Sequence, residues 1–320
     1  MTLDAHDQRM PNHPDVPPRG RGALGPTIGL TWFLVGLIAS AALIGLLVDD
    51  VYTGAEATAE MLRAYDLVTV LVVAPALAGA AHRAWRGSAV AHLVVASLIG
   101  YVVYTYAYYL FGTGFNDLFL LHAAIFATGL VALGLSLTSL DLSALATRFG
   151  ARTKVRTVAG ILGLLAAALG GMWAYLAIDN AMTGDVPTGS KLVETDTVVH
   201  LGMALDLTLL VPLYAAAALL LWRRAPWGYA LAGLALLAGV LHQLSYVVAM
   251  PFQVAADVPG AVAYDPGEPV IVLLYVTGLV LLLLGPRSGR GGSHDKDRAG
   301  HTQPGRTPPH RTSSGAVGGA

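Results

Sequence analysis

A chain of 320 residues that is 55 % hydrophobic and only 12 % charged carries more apolar surface than a water-soluble globule hides, since soluble domains run to about a quarter charged residues. The 19 Lys and Arg against 20 Asp and Glu leave a formal net charge of −1, an average that says nothing about partners, but no basic aromatic surface suited to nucleic acid is present. With no cysteine anywhere, disulfides, thiolate metal sites and cysteine catalysis are excluded together.

Residues 1–27 are rich in Pro, Asp and Arg, too long and polar for the basic region of a cleaved signal peptide. They are expected to form a disordered cytoplasmic segment ahead of a retained anchor. Eight apolar runs follow, each near the ~20 residues with which a helix crosses a bilayer: Ile28 to Val48, Leu67 to Ala84, Ala89 to Phe111, Leu118 to Leu140, Val158 to Ile178, Thr197 to Trp222, Trp227 to Met250, and Pro269 to Leu284. Residues 286–320 have no periodic apolar face and too little hydrophobicity to repay ordering, so they are expected to be a disordered cytoplasmic tail. The predicted fold is an all-α polytopic membrane helical bundle, one domain of eight spans over 28–285.

The joints between runs separate by sign. Those after the second, fourth and sixth runs carry His82, Arg83 and Arg86, then Arg148, Arg152, Lys154 and Arg156, then Arg223 and Arg224. The others carry Asp49, Asp50, Glu56, Glu60, Asp66, Asp117, Asp179, Asp185, Glu194, Asp196, Asp257, Asp265 and Glu268, with Arg63 and Lys191 as the basic exceptions. Lysine and arginine collect in cytoplasmic loops, which places both termini in the cytoplasm and the acidic loops outside a cell (plasma) membrane.

Two features recur. Val48-Asp49-Asp50-Val51-Tyr52-Thr53-Gly54 after the first run is echoed by Ile178-Asp179-Asn180-Ala181-Met182-Thr183-Gly184 after the fifth, and Pro75 before Trp85-Arg86 is echoed by Pro212 before Trp222-Arg223. These echoes predict a duplication of a four-span unit, with halves 28–140 and 158–285, both inserted with the same orientation because four is even.

The stretch from Tyr101 through Tyr104, Tyr106, Tyr108, Tyr109 and Phe111 to Gly112, then Phe115, Asn116 and Phe119, resembles a group of uncharacterised prokaryotic multi-span integral membrane proteins. So does Asp206 to Pro212 with Leu221-Trp222-Arg223-Arg224-Ala225-Pro226-Trp227-Gly228-Tyr229. The resemblance covers most of Gly29 to Gly285. It implies the multi-span architecture and no particular activity.

The residues that should not lie in lipid define the candidate site. Asp206 sits roughly 13 Å into the sixth run at ~1.5 Å per residue, where an aspartate costs about 2.5–3.5 kcal/mol on insertion scales. It should therefore face the bundle interior and have a partner. His242 lies at similar depth on the seventh run, joined to the sixth by a short turn, and is the expected partner. His200, His122, Asn116, Tyr104, Tyr108, Gln243 and Tyr246 share the same outer half and could line a polar cavity with the pair. The aromatic belt of the membrane interface is the expected explanation for most rings between Tyr101 and Tyr109. Pro75 and Pro212 are expected to kink their helices.

These readings point to a non-enzymatic membrane role, transport or small-ligand sensing through an outward-facing polar cavity. The alternatives are a membrane-embedded enzyme or haem/redox protein using the intramembrane histidines, and an accessory subunit of a membrane complex. No P-loop, Gly-x-Ser-x-Gly, His-x-x-x-His or Glu-x-x-His pattern marks a span, so no cofactor and no metal is expected. The expected partners are the lipid bilayer, a small-molecule or ion ligand and other membrane subunits, with no nucleic acid.

Overall fold

The computed structural model describes residues 21–149, 154–188 and 190–283. The described residues form nine helices: α1 (Arg21–Leu47), α2 (Glu56–Trp85), α3 (Ala89–Phe111), α4 (Phe119–Thr138), α5 (Leu142–Phe149), α6 (Val155–Thr183), α7 (Asp196–Trp222), α8 (Pro226–Ala255) and α9 (Glu268–Leu283). Seven of them are long and apolar enough to cross a membrane, where eight were expected. The helix at the eighth position, α9, is apolar but has 16 residues, or about 24 Å at 1.5 Å each. The helix α1 already covers the end of the segment expected to be disordered. Residues 1–20 and 284–320, which carry the rest of the terminal expectations, lie outside the described residues.

Three helices outrun the apolar stretches that announce them. Of these, α2 starts at Glu56 rather than Leu67 because its first turns are amphipathic: Ala57, Met61, Leu62 and Tyr65 repeat at helical spacing and are buried, packed toward α8 and α1. Such a stripe makes a helix stable beyond the lipid. At 30 residues, α2 spans about 45 Å against a hydrocarbon core of about 30 Å. In the same way α6 continues to Thr183 and α8 to Ala255. Arg63, an exception to the charge pattern, meets Asp49 at 3.3 Å and Glu60 at 3.5 Å, so its charge is locally neutralised. The joint after the fourth run contains α5, whose Leu145 and Phe149 are buried and pack it toward α8.

Both α2 and α7 widen into a π-helical turn, at Thr69–Val73 and Asp206–Leu210, immediately before Ala74-Pro75 and Val211-Pro212. Proline has no N–H to give the preceding turn and its ring crowds the carbonyl there. A wider turn accommodates that crowding without breaking the helix.

The helices pack in two rings of neighbours. In the first, α1 touches α2 and α4, and α3 touches α2 and α4; in the second, α6 touches α7 and α9, and α8 touches α7 and α9. Between the rings α8 packs on α2 and α3, and α3 also meets α7. This makes α3 the most buried long helix. Outward-facing residues such as Trp32, Phe33, Leu71, Leu120, Leu164 and Leu273 are large, apolar and exposed, the surface a lipid-embedded bundle presents. At the basic end Arg156 lies over the Trp222 ring, 5.5 Å from its centroid.

The tight turn between α7 and α8 depends on Gly228. A Cβ built there would lie 2.4 Å from the Leu221 backbone nitrogen and 2.5 Å from the Leu220 carbonyl carbon. Gly228→Ala should therefore destabilise the protein by about 1–3 kcal/mol, the usual overpacking cost, read as a lowered melting temperature in detergent. Gly163→Ala, whose Cβ meets nothing within 4 Å, should leave the melting temperature unchanged or raise it.

Candidate functional site

The tyrosines of α3 sort onto its two sides. All five from Tyr101 to Tyr109 are buried, so the expectation that most belong to an interfacial belt is overturned. The belt reading assumed that the helix end meets the membrane surface, whereas α3 runs through the centre of the bundle.

Toward the first ring, the Tyr109 hydroxyl donates to Asp66 Oδ1 at 2.9 Å and also approaches the Leu62 carbonyl at 2.9 Å. The Tyr52 hydroxyl donates to Asp66 Oδ2 at 2.6 Å. Asp66 was assigned to an outer joint; the earlier start of α2 instead puts it inside the helix, 0 % exposed. Gly45 of α1 makes room for the pair, since a Cβ there would lie 2.0 Å from Asp66 Oδ2. His122 fills the remaining space, its ring centroid 4.9 Å from Tyr109, 5.8 Å from Tyr106 and 6.2 Å from Tyr52. Neither of its buried nitrogens has a hydrogen-bond partner among the described residues.

Toward the second ring, the Tyr104 hydroxyl donates to Asp206 Oδ1 at 2.6 Å and the Trp173 indole N–H donates to Oδ2 at 2.7 Å. Each carboxylate oxygen accepts one bond. The His242 ring stands edge-on to Tyr104 with centroids 5.2 Å apart. The hydrogen bonds expected from His242 come instead from Tyr104 and Trp173. Tyr101 reaches past them to Ser245 of α8 at 2.6 Å.

Asp206 borders a cavity of ≈ 310 Å³, within the range of small-molecule sites. Its walls are α6, α7, α8 and α9, with Tyr65 of α2 and Tyr108 of α3 on the side of the first ring. Asp206 is roughly 15 Å along α7 from its start at ~1.5 Å per residue. Glu194, Asp265 and Glu268 line it nearer the helix ends. Gln243 Nε2 donates to Glu268 Oε1 at 2.5 Å. The Tyr246 hydroxyl donates to Asp265 at 3.1 Å and accepts from the Lys191 backbone N–H at 3.0 Å, tying two connections together. Gln253 braces the same rim: its amide donates to Val193 O at 2.7 Å and Ala57 O at 2.9 Å, and its Oε1 accepts from Val193 N at 2.9 Å.

Of the candidate residues, Asp206, His242, Gln243 and Tyr246 line this cavity, and Tyr104 braces its acid. His200 is exposed on α7 and His122 belongs to the first ring, so the two histidines weighed for haem lie in different surroundings. Asn116 accepts from the Leu118 N–H at 3.0 Å in the turn before α4 and has no part in the cavity. Sequence reasoning missed Trp173, Glu194, Asp265 and Glu268, and it missed the Asp66 cluster. The helical stripe Ala57, Met61, Leu62, Tyr65 was the signal that could have moved Asp66 indoors. Among the described residues no group of three metal-binding side chains gathers.

No protein-family model, no curated protein and no solved structure matches the chain. What stands is a multi-pass helical membrane protein by helix composition, with no family assigned.

Glu194 lies in the connection before α7, where the Ser190 hydroxyl donates to it at 3.0 Å. Burial pushes its carboxyl above the ordinary range, opposed by the Ser190 bond and assisted by the Asp206 charge. A carboxyl raised in the folded state contributes stability that is complete below the unfolded pKa of about 4.3 and is lost as pH rises through the folded value. Glu194→Gln, permanently neutral, should raise the melting temperature near pH 8, with the gain shrinking as pH falls toward about 4.5. A gain equal at every pH would remove this assignment.

Proposed function

We propose that the chain is a cell-membrane protein that binds a small ligand in an outward-facing cavity beside Asp206, for transport or for sensing. The observation that carries this reading is a buried carboxylate inside a span, held by two neutral donors and bordering a cavity. An acid in a span is costly and marks a pathway or binding site by default. A purely structural acid could be sealed, as Asp66 is; Asp206 has space beside it.

The orientation rests on charge. Arg83, Arg86, Arg148, Lys154, Arg156, Arg223 and Arg224 lie at one set of helix ends and the acidic connections at the other, a pattern that supports an outward-facing cavity mouth. The duplication is supported by the matching order of neighbours in the two rings and by the π turn before proline in the second long helix of each. Phe126-Ala127-Thr128-Gly129-Leu130-Val131 of α4 also matches Tyr275-Val276-Thr277-Gly278-Leu279-Val280 of α9. A rotation along the membrane normal would exchange the α2–α8 contact with the α7–α3 contact, and α9 would be the eighth span.

Because the chain has no cysteine, single cysteines can map both topology and access. Asp265→Cys and Gln243→Cys should react with a membrane-impermeant thiol reagent added outside intact cells, and Arg224→Cys only after permeabilisation. Adding Ala168→Trp should slow labelling of Gln243→Cys at least tenfold by filling the cavity. Reaction of Arg224→Cys from outside would reverse the topology, and an unreactive Gln243→Cys would close the cavity to the outer face.

A further inference from the structure

Part of the cavity wall is also outer surface of the bundle. Leu164 and Met172 of α6 and Ile271 of α9 line it, yet they are 55 %, 37 % and 39 % exposed. Exposed apolar side chains on the flank of a membrane bundle meet acyl chains rather than water. These three side chains therefore stand between the cavity and lipid where α6 and α9 pack.

Its charge is one-sided. Glu194, Asp206, Asp265 and Glu268 face the cavity, and no lysine or arginine side chain does among the described residues. His242 is the one basic ring on the wall, beside Tyr104. Trp173, Tyr108 and Tyr275 add ring surfaces, which attract cations within about 6 Å. The acids are spread along the cavity from Asp206 to the connections, and among the described residues they do not converge in threes, so they do not form a cage for a bare metal ion. An apolar flank open to lipid, aromatic rings and dispersed carboxylates together complement an amphiphile whose head is cationic.

We infer that the ligand is a hydrophobic amine that enters sideways from the bilayer between α6 and α9, its ammonium group among the carboxylates and its apolar body against Leu164, Met172 and Ile271. This rests on the cavity being a ligand site, as proposed above. The ammonium gains Coulombic attraction strengthened by the apolar surroundings, and the apolar body keeps the contacts it had in lipid.

The test is calorimetric titration of the full chain in lipid nanodiscs, with empty nanodiscs subtracted, using 4-phenylbutylamine, 4-phenylbutanol, 4-phenylbutyrate and spermidine. The amine should bind at least tenfold more tightly than the alcohol or the acid, and tenfold more tightly than spermidine, which has charge without an apolar body. Asp206→Asn should remove most of the preference for amine over alcohol while both still bind. Glu194→Gln should weaken the amine alone and carries the charge test should Asp206→Asn fail to insert. Ala168→Trp should abolish all binding. Alcohol or acid binding as tight as the amine, blocked by Ala168→Trp, would overturn the cationic ligand and leave the cavity site standing. Tighter binding of spermidine would overturn the apolar body and the sideways route. Absence of any Ala168→Trp-sensitive binding would overturn the cavity site itself.

Discussion

Two carboxylates buried within membrane-length helices set the terms for the rest of this bundle. An acid away from water must find donors or give up its charge. Both Asp66 and Asp206 find them, and each takes one phenol from α3. That shared dependence explains why α3 carries tyrosines around much of its circumference and why it sits between the two rings. Tyr104 and Tyr108, one turn apart on one side, also meet each other at 3.2 Å. Tyr109 serves the other side. Gly45 belongs to the same solution, because only a missing side chain lets α1 approach the Asp66–Tyr52 pair.

The two polar centres differ in what fills the space around them. In the first ring Tyr52, Tyr106, Tyr109 and His122 close on one another, and Asp66 has no exposure. In the second ring the acid has a phenol and an indole but no comparable plug, and space remains. In the proposed duplication this is a divergence by side-chain volume: one copy keeps a closed polar core and the other keeps open space beside its acid.

The extensions of α2 and α8 past the apolar stretches brace that room's rim through Gln253. They support the connections that carry Glu194 and Asp265, and Gln253 and Tyr246 fix those connections through backbone and carboxylate contacts. Loops braced in this way can hold charged groups at defined positions above a pocket, which flexible surface loops cannot.

Length, apolarity and the segregation of charge are one-dimensional quantities, and they made the run of membrane helices legible from the sequence alone. Asp206 was legible for the same reason: an acid in a long apolar run carries an energetic cost wherever the helix goes. Its partners were not, because depth along a helix says nothing about the direction a side chain takes around it. His242 matches Asp206 in depth, yet Tyr104 and Trp173 point at the carboxylate. His200 precedes Asp206 by a spacing that turns it about 240° around the axis at ~100° per residue, onto the exposed side. Asp66 was hidden by a boundary, since the start of α2 is stabilised by packing on α8 and α1 rather than by lipid. Which tyrosine faces which acid, and which ring keeps a cavity, depended on contacts between helices far apart in the chain, and only the tertiary structure decided them.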